Sequence, residues 1–498
     1  MTQPNRLPEE LLLQIAESLE DDKPTLNSFS QASRQANRVS TNILYRSIAV
    51  GGGCAPDDAE LILLVRTLLY HKQFVPKIKA LTIKSFAYEL EPDDPDPFSS
   101  QTPYRQGISS WLSVDNPSFM EKCKHFISIQ ELLSGTRFPH WRIAIENGIQ
   151  PAFIGILLAM TPNVTDLHLD IKEDSRTLHH DYSPISNILG IPVQLALPYR
   201  LPRWSFARVT RLRVTEPCLA IMQVGMPQLT TLEIDLMSTD LFSLGLEWPR
   251  QLRPCQALRS ILFRVDWQQL SGEIGAVSLT SIFQRLHPTR LTTIDLTFEL
   301  GPETEYTSGL VPLGSFEYLA VALRDVSSTV EDLCISITPN RDVFPIEYLW
   351  TYDPILDLAE FKRLRRLSVP QQALIHRDIG KRSFANPVFP TFPESLESLE
   401  IFHPDTKVIP WLELLVSEKS SKTPNLTSIT IFCDWDWDWA KNPSLDMSGS
   451  IVDQYKCEGV NLSLVERLAK RNNVIELKET SVWDADWADE DWAESIFG

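Results

Sequence analysis

One pattern restricts what this chain can become: an apolar residue, two others, an apolar residue, one other, and a third apolar residue. The segment Val75–Phe86, VPKIKALTIKSF, contains it, and it returns at Val164-Leu167-Leu169, Val209-Leu212-Val214, Leu229-Leu232-Ile234, Leu258-Ile261-Phe263, Leu291-Ile294-Leu296, Val330-Leu333-Ile335, Leu364-Leu367-Val369, Leu396-Leu399-Ile401 and Leu426-Ile429-Ile431. From Val209 onward the copies begin 20, 29, 33, 39, 34, 32 and 30 residues apart. The alternation in the last three positions is that of a short strand with every second side chain turned inward. Between copies lie helical candidates at Ala152–Met160, Leu279–Leu286, Phe316–Val326, Pro354–Phe361 and Pro410–Glu418. Strand, loop, helix and return predict an α/β chain, with a parallel sheet on one side of a curved solenoid and helices on the other.

With such spacings the chain resembles a degenerate leucine-rich-repeat domain, whose regular interval is about 20 to 29 residues. Regular repeats carry Asn or Cys three positions after the last strand leucine, where it satisfies backbone groups of the turn. Here Phe86, Lys172, Met237, Asp266, Glu299 and Gln372 stand there. The polar ladder is missing and the repeats are irregular.

A different pattern opens the chain. Leu7, Leu11, Leu12, Ile15, Ala16 and Leu19 recur at helical spacing with Glu9, Glu10, Gln14 and Glu17 between them, so one apolar stripe faces a partner or a core. Pro8 and the two acids suit the helix's first turn. Glu20–Lys23 and Pro24 end it, Thr25 is placed to cap a second helix carrying Leu26, Phe29 and Ala32, and a third carries Val39, Ile43 and Leu44. Three helices in so few residues bury little and need company.

Leu7-Pro8, Glu9-Glu10, the leucine-rich run to Leu19, Ser33-Arg34 and Leu44-Tyr45-Arg46 follow the order of the F-box family, which this stretch resembles. The resemblance implies a substrate-recognition subunit of an SCF-type cullin-RING E3 ubiquitin ligase. A Skp-type adaptor would sit against Leu7, Pro8, Leu11, Leu12, Ile15, Leu26, Phe29, Val39, Leu44 and Tyr45, and the repeats would hold a protein target. Burying four or five of these leucines and isoleucines supplies on the order of 10 kcal/mol gross. The same stripe has another reading, packing on the chain's own apolar run Leu61–Leu69. Gly51-Gly52-Gly53 reads as a hinge, with Asp57 or Asp58 capping the helix that follows.

At 498 residues the chain exceeds one ordinary core. The organisation expected is a three-helix F-box-like module over 1–50, a linking helix over 51–75, an irregular leucine-rich-repeat-like α/β solenoid over 76–480 and an acidic, tryptophan-rich tail over 481–498. The net charge of −19 opposes general affinity for nucleic acid. No apolar run suits a membrane span and no signal peptide opens the chain, so an intracellular place, cytoplasm or nucleus, is expected. The seven scattered cysteines form no C-x-x-C pair and read as reduced core thiols.

Two long intervals, Glu91–Trp111 and Glu173–Arg203, are rich in turn residues and read as exposed loops suited to partner contact. Asp434–Trp439 alternates acid and indole, and Trp483, Trp487 and Trp492 punctuate the acidic tail. The first run reads as a cap on the open end of the repeats, or both as an acidic aromatic peptide for a basic groove on a partner or on these repeats. His179-His180-Asp181 lacks a further ligand at useful spacing, and no nucleophile elbow appears. Asn163-Val-Thr165, Asn425-Leu-Thr427 and Asn461-Leu-Ser463 read as repeat and turn residues rather than glycosylation acceptors. No catalytic residue, cofactor or metal is expected. The alternatives to the ligase reading are a repeat scaffold without ubiquitin connection and, third, an enzyme hidden in the repeats.

Overall fold

In the computed structural model the described residues are 7–51, 60–87, 117–134, 138–146, 150–173, 206–215, 221–222, 225–236, 255–266, 273–299, 315–338, 353–375, 390–404, 407–434 and 449–467. The loops Glu91–Trp111 and 174–203, the His179-His180-Asp181 cluster, the capping acids Asp57 and Asp58, the tryptophans of the Asp434–Trp439 run and the tail lie outside them.

The chain is an α/β protein built on one twelve-stranded sheet whose strands follow chain order from first to last. They are β1 (Ser47–Val50), β2 (Ala80–Ala87), β3 (Asp166–Glu173), β4 (Arg211–Thr215), β5 (Thr231–Leu236), β6 (Ser260–Asp266), β7 (Thr293–Glu299), β8 (Asp332–Ile337), β9 (Arg366–Pro370), β10 (Ser398–Phe402), β11 (Ser428–Asp434) and β12 (Asn461–Arg467). Every neighbouring pair is parallel. Strands β2 to β11 are the ten copies of the sequence pattern. Their apolar positions align across the sheet, as in Leu167 with Leu212 and Ile261 with Ile294, and those residues are buried.

Two strands depart from the pattern. In β1 the leading apolar position is Tyr45, with Ile48 and Val50 paired to Leu81 and Ile83. In β12 the leading position is Gly459, which hides Leu462 and Leu464 although they pair with Ile429 and Ile431.

Between strands, the helices Gln150–Met160, Glu273–Leu286 and Val408–Lys422 cover three of the helical candidates. Phe316–Val326 folds as the helix Glu317–Ala322 and a 3-10 turn at Arg324–Val326. Pro354–Phe361 is no helix. Its Ile355, Leu358 and Phe361 are buried, but the backbone bridges Ser315 to Asp353 and Asp357 to Thr391 in parallel. An X-Pro step disfavours helix at Asp353, and amides bonded to neighbouring segments, Ile355 to Ala373 O and Leu358 to Thr391 O, fix an extended path. Spacing by three fits that path as well as a helix.

A row of threonines joins neighbouring segments at the end where the strands begin. Thr165, Thr210, Thr230, Thr292 and Thr427 each donate a hydroxyl to the carbonyl of the preceding repeat, at 2.9 to 3.2 Å. The same carbonyls also accept two backbone amides. Asn163 and Asn425 donate side-chain amides to Pro76 O and Glu394 O, so these two Asn-x-Thr triplets stitch repeats together.

Gly51 is no hinge. Its φ is +88°, and a Cβ there would lie 1.8 Å from the Lys84 carbonyl oxygen. Only glycine fits where the chain leaves β1 against β2. Among the described residues no helix is long and apolar enough to cross a membrane.

Candidate docking site at the N-terminal helices

Three helices precede the sheet: α1 (Glu9–Ser18), α2 (Lys23–Gln31) and α3 (Arg34–Leu44). Pro8 stands just ahead of α1, whose first turn carries Glu9 and Glu10. The cap of α2 is Asp22, which accepts from the Thr25 amide at 3.1 Å, and Pro24 sits inside the first turn. Thr25, which the sequence places to cap this helix, is instead the donor. An acid three residues ahead of a free amide is the stronger acceptor, and these hydrogen bonds from Thr25 lower the Asp22 pKa. Ser33 caps α3 by accepting from the Ala36 amide.

The module closes a small core of Leu12, Ala16, Leu26, Val39 and Ile43, with Leu19, Phe29 and Leu44 packed at its margin. Four of the ten predicted contact residues, Leu12, Leu26, Phe29 and Val39, are thus turned wholly or partly into the module, and Leu44 joins them. Tyr45 goes elsewhere: it stacks on Phe74 at 4.3 Å and packs against the main core, where burial raises its phenol pKa. The remaining four, Leu7, Pro8, Leu11 and Ile15, are exposed. Leu7, Leu11 and Ile15 keep 41%, 44% and 38% of their surface open.

Helix periodicity explains the division. Leu12, Ala16 and Leu19 share one face, with Leu11 and Ile15 on one flank of it. On the other flank Glu9 pairs with Arg38, and Glu17 with Arg46 at 3.6 Å, so that flank faces α3. Leu13, 38% exposed and absent from the predicted set, lies on this α3 side. The open apolar flank of α1 is therefore Leu11 and Ile15, turned away from α3, and Leu7 lies exposed just ahead of the helix.

The alternative cover for this flank is occupied elsewhere. Helix α4 (Glu60–Tyr70) buries Leu61, Ile62, Val65, Leu68 and Leu69 in the main core, a cluster separate from that of the module.

The module is joined to the sheet without a linker. Two residues separate α3 from β1. One is Arg46, whose carbonyl accepts the Lys79 and Ala80 amides while its guanidinium reaches Glu20 at 3.1 Å. One residue thus holds α1, α3 and the second strand.

A second polar surface lies on the sheet face away from the helices, and no motif announced it. Alternate strand residues place Asp166, Arg211, Arg213 and Glu233 together, with Arg–carboxylate separations of 3.7 to 3.9 Å. Next to them Arg264 holds Asp235 at 2.9 Å and Glu299 at 2.8 Å. His168 sits between Thr82 and Arg213; burial first, then Arg213 and Lys84, push its pKa down to about 3. Burial raises the carboxyl pKa of Glu233 and of Asp166 against the opposing arginines. The signal was available: these are the residues between the apolar positions of each copy. Burial pushes the Cys123 thiol up to about 12 and the Cys255 thiol to about 11, and neither forms a disulfide. Among the described residues no group of three His, Cys, Asp or Glu side chains could hold a metal ion.

No family model matches the chain, and no curated protein matches its sequence.

Proposed function

We propose that this chain is a substrate-recruiting subunit of a cullin-RING ubiquitin ligase, acting inside the cell. Its N-terminal helices are an F-box-like module that takes a Skp-type adaptor, and its strands and helices form a leucine-rich-repeat-like solenoid that takes a protein target. The observation carrying the reading is the open set Leu7, Leu11 and Ile15 on a module whose Leu12, Ala16, Leu26, Val39 and Ile43 are already committed to its own core. A surface of that kind, on an element held firmly by Arg46, suits a handle.

Such a subunit breaks and makes no bonds. It raises the local concentration of target lysines near a charged enzyme, and that gain depends on fixed span rather than on a catalytic side chain. The test is reconstitution: full-length chain is mixed with a purified Skp-type adaptor and a cullin-RING scaffold and resolved by size-exclusion chromatography. Co-elution that depends on Leu7, Leu11 and Ile15 supports the reading, and wild-type chain that captures no adaptor refutes it. A repeat scaffold without ligase connection is the second reading. The small size of the open flank favours it, and it predicts failure of that capture.

A further inference from the structure

Most arginines along the sheet are matched to acids: Arg211 to Asp166, Arg264 to Asp235 and Glu299, Arg324 to Glu360, Arg365 to Glu397 and Arg366 to Asp332. Arg259, Arg290 and Arg363 are exposed and have no ion-pair partner among the described residues. These three meet. With Thr289, Thr292 and Thr329 they line an open cavity of about 350 Å³ at the N-terminal ends of β6 to β9. Of the acids that neighbour it along the chain, Asp332 and Glu360 are held by Arg366 and Arg324, and Glu331, whose amide bonds to Thr292 O, has no ion pair among the described residues.

Three guanidiniums with no ion pair among the described residues, around one depression on a chain of net charge −19, mark a site for clustered anions. From β6 to β9 is three strand steps, about 14 Å, which is the length of four or five extended residues. The shape calls for an acidic peptide rather than a single small anion.

The chain carries such a peptide. Residues 481–498 hold Asp484, Asp486, Asp489, Glu490, Asp491 and Glu494, three tryptophans and neither Lys nor Arg. Carboxylates match the guanidiniums in charge, and indole faces stack on them. The tail also reaches. It is tied to Arg467, at the end of β12, by residues 468–480, which span up to about 44 Å when extended. Going back from β12 to β6 and down one strand length needs roughly 29 Å across and 23 Å along, about 37 Å in a straight line.

We propose that residues 481–498 dock in cis across Arg259, Arg290 and Arg363, so that the chain's own tail screens an acidic-peptide site from segments of other proteins. A tethered peptide acts at an effective concentration of about a millimolar. A tail with an intrinsic dissociation constant near 0.1 mM would then weaken binding of a competing free peptide about tenfold.

The inference needs no adaptor and is tested without one. Full-length chain is compared with a full-length variant in which the six tail acids become Asn or Gln. A labelled synthetic peptide of residues 481–498 is titrated against each by fluorescence anisotropy at about 50 mM salt. The neutralised chain should bind the peptide about tenfold more tightly than wild type. Adding R259E, R290E and R363E should abolish that binding, with far-ultraviolet circular dichroism unchanged. Carbodiimide treatment of wild type should join tail carboxylates to Lys362, the exposed amine beside Arg363, within one copy when labelled and unlabelled chains are mixed. Equal peptide affinity of the neutralised and wild-type chains, undiminished binding after the three Arg→Glu substitutions, or cross-links joining two copies would each overturn the proposal.

Discussion

Replacing Leu7, Leu11 and Ile15 together by alanine separates a docking surface from a structural one. Full burial of a Leu or Ile is worth roughly 1.5 to 3 kcal/mol. These three have already lost more than half of their exposure, keeping 41%, 44% and 38%, so a partner gains about two-fifths of that from each. The sum is about 2 to 4 kcal/mol, well under the gross figure of order 10 that the sequence suggested, because Leu12 and Leu26 belong to the module's own core. Association costs about 4 to 15 kcal/mol. The flank therefore contributes to a larger contact and cannot be the whole of it.

Titration calorimetry with a Skp-type adaptor should show the triple variant weakened by about 30-fold to several hundred-fold. Urea unfolding should separate this from folding. Leu12→Ala, at a side chain 5% exposed, should lose about 2 to 5 kcal/mol of stability, whereas the triple variant keeps a cooperative transition. Leu13→Ala is the internal control, since Leu13 is as exposed as Ile15 but lies on the α3 flank; its effect should stay within about twofold. The reasoning is refuted if Leu13→Ala costs as much as the triple variant, or if the triple variant binds as wild type does.

Other consequences can be measured on the isolated chain. His168 stays neutral in the fold to about pH 3 but takes a proton near its ordinary value of about 6.5 when unfolded. The unfolded chain therefore binds the extra proton as pH falls, and stability should drop by up to about 1.4 kcal/mol per pH unit below 6.5. Raised carboxyl pKa values at Glu233 and Asp166 act in the opposite sense at the acid end, so the slope is best read between pH 6.5 and 5; His168→Gln should flatten it in chemical-denaturation curves. Gly51→Ala should destabilise by more than the roughly 1 to 2 kcal/mol of a left-handed backbone alone, because its Cβ meets the Lys84 carbonyl; thermal melting checks this. Thr210→Val and Thr230→Val should each cost about 0.5 to 1.5 kcal/mol through the lost hydroxyl bond to the preceding repeat. A thiol reagent at neutral pH should modify exposed Cys457 before buried Cys123 and Cys255, as peptide mapping would show.

The strands were legible because burial on one face imposes a strict alternation, and a one-residue slip would turn every Leu outward. The two missed strands lie at the ends, where an outer neighbour is absent and the leading position tolerates Tyr45 or Gly459. Helices between strands were less legible, since apolar spacing by three serves the bridged path of Pro354–Phe361 as well as a helix. At the N-terminus the stripe was correctly seen as apolar, but a helix reading alone could not say which side of it the module would use itself. That depended on where α3 packs, and hence on the pairs Glu9 with Arg38 and Glu17 with Arg46. The arginine cavity left no mark in sequence because Arg259, Arg290 and Arg363 come from three different repeats and meet only when the strands are in register.

That register also sets the working geometry. The end of α3 runs through Arg46 directly into β1, and the sheet continues from there with one strand per repeat. At about 4.8 Å per strand, β6 and β9 stand roughly 24 and 38 Å along the sheet from β1. Tyr45, stacked on Phe74, opposes swinging of the helices on the sheet. A peptide held at the arginine cavity would therefore keep a nearly constant distance from a partner held at Leu7, Leu11 and Ile15. A rigid recruiter needs that property, and loosening the Arg46 junction should impair target modification while leaving each binding event intact.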